Sequence, residues 1–261
     1  MGVNSPKETI ELIQNAATGK SQTPPGRTAL LGTLAGAYIA MGGLLSVIVG
    51  FGFPSITAAN PGLQRLLSGC CFPIGLILVV IVGAELFTGN NATLIPGAVS
   101  RRYPWAYVAK NWTVVWLSNF AGALLFTYLM AYLTGAATVE PWKSATIGIA
   151  QAKVSMPWLT VLVKGIGANW LVCLAVWAGS SVNDGAGKIM ALWFPVMCFV
   201  AIGFEHSIAN MFFIPMGMLN GADVSIGQML TANLIPATIG NIVGGALFVA
   251  TPYIIAYGRR K

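Results

Sequence analysis

The segment VAIGFEHSIANMFFIP, residues 200–215, sets Glu205 beside His206, the single histidine of the chain. With an ordinary pKa of about 6.5, an imidazole can trade a proton with a weak acid passing next to it. A second carboxylate, Glu85, lies in GAELFTGN (83–90), and both stretches read Gly-x-Glu-x-x-x-x-Asn, closing on Asn90 and Asn210. The residues around them are almost wholly apolar. Lys110 and Lys164 are the other ionisable residues in such runs. An isolated charge at the centre of a bilayer costs at least ~2.5–3.5 kcal/mol, so each of the five is a functional candidate. Lys110 is read as snorkelling to an interface, and Lys164 as either that or part of a path. The two glutamates occupy equivalent places, where a carboxylate can accept backbone amides freed by a helix break, and are read as architectural. His206 faces Leu86 across the repeat, an asymmetry that favours function over framework.

Metal and enzyme chemistry find little support. Cys70, Cys71, Cys173 and Cys198 have no paired spacing with histidine and read as packing residues, so neither a metal nor a cofactor is expected. An acid–base enzyme built on Glu205 and His206 would need further polar groups around a pocket, and the apolar runs supply few.

The elements that carry these residues follow from composition. With 56% hydrophobic and 8% charged residues and a mean hydropathy of +0.75, the chain lies outside the soluble range. An all-α polytopic membrane protein is expected, with six spans near 28–52, 64–98, 104–135, 157–181, 188–218 and 226–257. Residues 1–27 lack the apolar core of a secretory signal and read as an amphipathic surface segment; 28–257 form the channel domain and 258–261 a basic tail. The +7 charge suggests nucleic acid only until it is mapped. Lys7, Lys20, Arg27, Arg101, Arg102, Lys188, Arg259, Arg260 and Lys261 fall on one face, with Arg65, Lys143 and Lys153 on the other. That is the positive-inside pattern, so both termini are expected on the cytoplasmic-equivalent side, and no nucleic-acid partner is expected.

A second internal match, SNFAGALLF (118–126) against GNIVGGALF (240–248), lies at nearly the same offset as the first. The two together imply a duplication, with repeat 1 over about 28–135 and repeat 2 over about 157–257. Three spans per copy force the second into the membrane upside down, the inverted arrangement of channels and secondary transporters. Spans two and five, carrying FTGNN and EHSIAN, read as broken helices, tolerated at membrane depth only where they are buried or line a cavity. Gly32 and Gly36, like Gly240 and Gly244, have the spacing of close helix packing.

GAELFTGN, KGIGANWLVCLAVW (164–177) and GFEHSIANMFFIPMG (203–217) resemble the signature segments of the formate/nitrite transporter family, in order across all six spans. The resemblance implies an aquaporin-like protomer, a homopentamer in the lipid bilayer, and a pore in each subunit for small anions such as formate, nitrite, hydrosulfide or, in some plastid members, bicarbonate. By the same resemblance, His206 is the central pore histidine and Thr88 the hydroxyl that can hydrogen-bond it. Asn169 faces the same point from span four. Phe72, Leu76 and Phe199 form an apolar constriction on one side, Leu86 and Phe87 on the other, and Lys153 is a vestibule lysine that draws anions in. The membrane implied is a bacterial inner membrane or a plastid envelope. A bare anion meets a larger desolvation cost at such constrictions than its neutral acid. Proton exchange near His206 is therefore the expected mechanism, with a cationic His206 acting as a binding station the rival. A neutral-solute (aquaglyceroporin-like) or ammonium pore is the alternative function, which the basic vestibule disfavours.

Overall fold

The computed structural model describes residues 2–258. Arg259, Arg260 and Lys261 of the expected basic tail lie outside the described residues. Twelve helices follow among those described: α1 (Pro6–Ser21), α2 (Pro25–Gly50), α3 (Pro54–Ala59), α4 (Pro61–Gly83), α5 (Phe87–Thr93), α6 (Ile95–Val99), α7 (Trp105–Tyr132), α8 (Trp142–Ser155), α9 (Trp158–Ser181), α10 (Gly185–Ile202), α11 (Ser207–Leu219) and α12 (Ile226–Tyr257). The one strand-like pairing among the described residues is an isolated bridge between Val3 and Val182. Six helices, α2, α4, α7, α9, α10 and α12, are long and apolar enough to cross a membrane.

Most span ends move by a few residues from their expected places, for local reasons, whereas spans two and five stop well short of theirs, at Gly83 and Ile202, where the helices break. Proline opens α2 and α4 in the first turn, where its missing N–H costs nothing. The fifth span begins at Gly185 because Asp184 caps it, accepting from the Gly187 N–H at 2.7 Å. The link between spans three and four, which carries Lys153, is the 14-residue helix α8.

Both expected breaks are present, and both begin at a left-handed glycine. Gly83 (φ 92°) ends α4 and Gly203 (φ 82°) ends α10, a conformation that glycine adopts without steric cost. Extended residues follow, with α5 starting at Phe87 and α11 at Ser207.

Small residues let the long helices close around these breaks. A side chain at Gly36 would run into the backbone of Asn119, and one at Gly122 into the carbonyl of Thr33, so α2 and α7 touch backbone to backbone. Gly240 and Gly244 of α12 bear in the same way on the carbonyls of Leu162 and Ile166 in α9. The core between the breaks is filled by Phe72, Ile39, Ile208, Met211, Phe212 and Ile214. α1 buries Ile10, Ile13 and Ala17 against Leu94, Ile95, Trp177 and Val249, which fixes it across one end of the bundle. The outer faces are greasy: Leu159, Leu247 and Ile255 are 66%, 58% and 73% exposed, which in water would be a large penalty and in lipid is none.

Candidate pore site

The breaks expose backbone groups that must be satisfied inside the protein. Two asparagines do most of this work. Asn119 of α7 accepts from the Phe87 N–H (2.9 Å) and donates to the carbonyls of Gly32 (2.7 Å) and Glu85 (2.9 Å). Asn241 of α12 accepts from the Ser207 N–H (2.9 Å) and donates to Gly165 (2.8 Å) and Glu205 (3.0 Å). The N–H groups of Glu85 and Glu205 go to the carbonyls of Leu31 and Lys164.

The glutamate carboxylates therefore do not take the freed amides, contrary to expectation, because the asparagines are already there. They organise side chains instead. Glu85 accepts from Asn90 Nδ2 (2.8 Å), which also reaches Asn111 (2.9 Å), and pairs with Lys20 of α1 at 3.0 Å. Glu205 accepts from Asn210 Nδ2 (2.7 Å), which also reaches Asn233 (2.7 Å), and pairs with Lys153 of α8 at 2.9 Å. The two sets match residue for residue. Lys20, Asn111, Asn119, Asn233 and Asn241 escaped sequence reasoning, although Asn119 and Asn241 align within the repeated segments at 118–126 and 240–248. Lys20 and Lys153 stand outside the spans, where nothing in the sequence ties them to a buried carboxylate.

Thr88, second residue of α5, and His206, the N-cap of α11, are where the two half-helices meet. His206 Nδ1 accepts from the Ala209 N–H at 3.1 Å, and Nε2 lies 3.0 Å from Thr88 Oγ1. An Nδ1 that accepts carries a lone pair, so the ring proton sits on Nε2 and is donated to Thr88. A cationic ring would put an N–H against the Ala209 amide and a charge at the positive end of α11. Asn169 lies one step away: its Nδ2 reaches the carbonyls of Thr88 (3.1 Å) and Asn241 (2.6 Å), not the imidazole. Cys173, expected as simple packing, directs its sulfur to the Thr88 carbonyl at 3.2 Å.

Two cavities approach this point from opposite ends. The one on the face that bears α1, of about 820 Å³, is lined by Lys20, Arg27, Lys188 and Glu85, with Leu76, Val79 and Leu86 towards the centre. The far-face cavity, about 230 Å³, is lined by Arg65, Lys153 and Glu205, with Phe72, Phe199 and His206. Phe199 stacks on the imidazole at 5.7 Å and Phe72 meets Phe199 edge-on at 5.8 Å. Leu76, one turn beyond Phe72 on α4, thus falls on the other side of the histidine from the two phenylalanines, with Leu86. Phe87 lines neither cavity and packs edge-on against Trp112.

Six spans, two broken helices meeting tip to tip and a cavity at either end define a channel-type membrane transport protein. The chain belongs to the formate/nitrite transporter family: the family profile "Formate/nitrite transporter" matches residues 7–255. A "Probable formate transporter" of Methanothermobacter thermautotrophicus is 42% identical, over 97% of this chain and 97% of that protein. Among solved structures, an "FNT family ion channel" superposes with a TM-score of 0.87 at 28% identity, over 95% of this chain and 98% of that one. A "Pentameric formate channel with formate bound" gives 0.78 at 33%, over 90% and 98%.

Proposed function

We propose that the chain conducts small monovalent anions of weak acids, formate foremost and nitrite, bicarbonate or hydrosulfide as further candidates, past His206. The observation that carries this reading is the position of His206 and Thr88, 3.0 Å apart between two cation-bearing cavities that narrow to apolar side chains. The cationic side chains that line the two cavities, together with the half-helix dipoles, concentrate the anion. Stripped of water at Phe72 and Phe199, the anion gains proton affinity and takes a proton through or near His206, and the neutral acid slips past Leu76 and Leu86 at a far smaller desolvation cost. Asn169 holds the Thr88 segment in place, and Asn241 holds the segment on either side of His206.

The assembly proposed is a homopentamer in the lipid bilayer of a bacterial inner membrane or plastid envelope, with a pore in each subunit. The α1 face lies on the cytoplasmic-equivalent side, where Lys7, Lys20, Arg27, Arg101 and Arg102 cluster. The formate bound in a pentameric relative supports both substrate and assembly.

The test is stopped-flow uptake of formate, nitrite and bicarbonate into proteoliposomes between about pH 5 and 8, for wild type and His206→Asn. Formate entry that quickens as external pH falls, carries little current and loses its pH dependence in the variant is the expected result. A large, pH-independent current of a strong-acid anion, or an unchanged pH profile in the variant, overturns the proton-exchange step. Glycerol uptake serves as the control for a neutral-solute pore.

A further inference from the structure

Each cavity holds a lysine whose charge is already answered. Lys153 pairs with Glu205 at 2.9 Å, the side chains only 15% and 4% exposed, and Lys20 pairs with Glu85 at 3.0 Å. Seen from more than a few ångströms away, such a pair is a dipole. Its two unit charges cancel, and its pull on an anion fades with distance faster than that of a free charge. Neither lysine can therefore be the main long-range attractor for an anion still in solution, although either can donate to one at contact.

The uncompensated charge lies nearer the rims. In the far-face cavity Arg65, in the first turns of α4, is the one cation besides Lys153 among the described lining residues. It is exposed, and no carboxylate stands within ion-pairing distance of it among the described residues. Neighbouring polar groups are spoken for: Gln64 donates to Ser68, and Ser68 to the Ser46 carbonyl. On the α1 face Arg27 and Lys188 line the larger cavity beside the Lys20–Glu85 pair. One charge at one mouth and two at the other remain after pairing.

We infer that Arg65 is the entry-selecting residue of the far face, an unpaired guanidinium that gathers monovalent anions at the mouth, repels cations, and passes the anion to Lys153. Arg27 is its counterpart on the α1 face. This rests on the anion path proposed above and divides its electrostatics in two: capture at the rim and hydrogen bonding in depth. A guanidinium suits the rim because it is always charged and presents a planar fork of N–H donors that matches a carboxylate.

Initial formate entry is measured at fixed pH and subsaturating formate in right-side-out and in inverted membrane vesicles, at about 10 mM and about 150 mM ionic strength. At low salt Arg65→Gln is expected to slow entry about three- to fivefold in one vesicle polarity only, and Arg27→Gln in the opposite one. Both effects shrink at high salt, the saturated rate stays at the wild-type value, and Arg65→Lys keeps most of the capture. Wild-type entry rates for Arg65→Gln in both polarities at low salt overturn the inference. So does a loss that is equal at both salts and not recovered by Arg65→Lys, which would mark a structural role. No protein-dependent formate entry in the wild type would instead remove the anion path itself, and the inference with it.

Discussion

Asn241 closes three backbone valences with one carboxamide, and Asn119 does the same in the first half. Leaving one buried donor or acceptor unpaired costs about 1–3 kcal/mol, so Asn241→Ala is expected to destabilise the protein by at least about 3 kcal/mol, read as a fall in thermal midpoint in detergent. Asn241→Asp is not a rescue, since it keeps the acceptor for Ser207 but sets a carboxylate oxygen against the Gly165 and Glu205 carbonyls. A midpoint unchanged in Asn241→Ala would show that the break is held by other contacts. At Thr88 the two substitutions separate shape from hydrogen bonding. Thr88→Val strands the Nε2 proton of His206 and is expected to lower formate flux about tenfold, the equivalent of one buried hydrogen bond, whereas Thr88→Ser retains most of it. A loss in Thr88→Ser with Thr88→Val near the wild-type flux would mean that the methyl group, not the hydroxyl, matters.

At the level of elements, the glycine contacts decide whether the broken helices have a frame. A Cβ at Gly36 or Gly122 meets backbone atoms, which cannot swing aside as a side chain tip can, so α2 and α7 would have to part. Gly36→Val should cost upwards of about 1–3 kcal/mol by overpacking and speed hydrogen exchange in α5, whose Phe87 amide hangs on Asn119. Gly148 in α8 has nothing within contact distance of a Cβ, and Gly148→Ala should be neutral or stabilising by up to about 1 kcal/mol. If Gly36→Val and Gly148→Ala behaved alike in a thermal melt, the close approach of α2 and α7 would not be a source of stability.

For the whole molecule, the exposed apolar belt of the six spans must meet lipid tails or another copy of the chain. Mass measurement of the detergent-solubilised protein is expected to find five copies of the 27.4 kDa chain, and a stable monomer at the same detergent concentration would overturn the pentamer. The matched Lys–Glu–Asn sets at the two breaks further suggest that each half of the molecule includes the helix before its first span. α1 and α8 each deliver one lysine to one glutamate, so a repeat bounded at residues 28 and 157 leaves both out.

Much of this protein is legible in one dimension. Hydropathy gives six spans because crossing a bilayer demands a run of apolar residues whatever the neighbours are. The two Gly-x-Glu-x-x-x-x-Asn segments point to the breaks because glycine and buried charge within such runs are costly without a local reason. The single histidine stands out on the same ground. Partnership is a different matter. That Asn119 and Asn241, rather than the glutamates, close the freed backbone depends on helices more than thirty residues away in sequence. That Lys20 and Lys153 are neutralised where they stand, while Arg65 is left unpaired, depends on which carboxylate the fold brings within reach. Leu76 and Phe72 share one helix four residues apart, yet they line different cavities because that helix runs along the axis between them. Burial of a side chain is written in its own chemistry and its near neighbours, whereas the identity of its partner is a property of distances that exist only once the chain has folded.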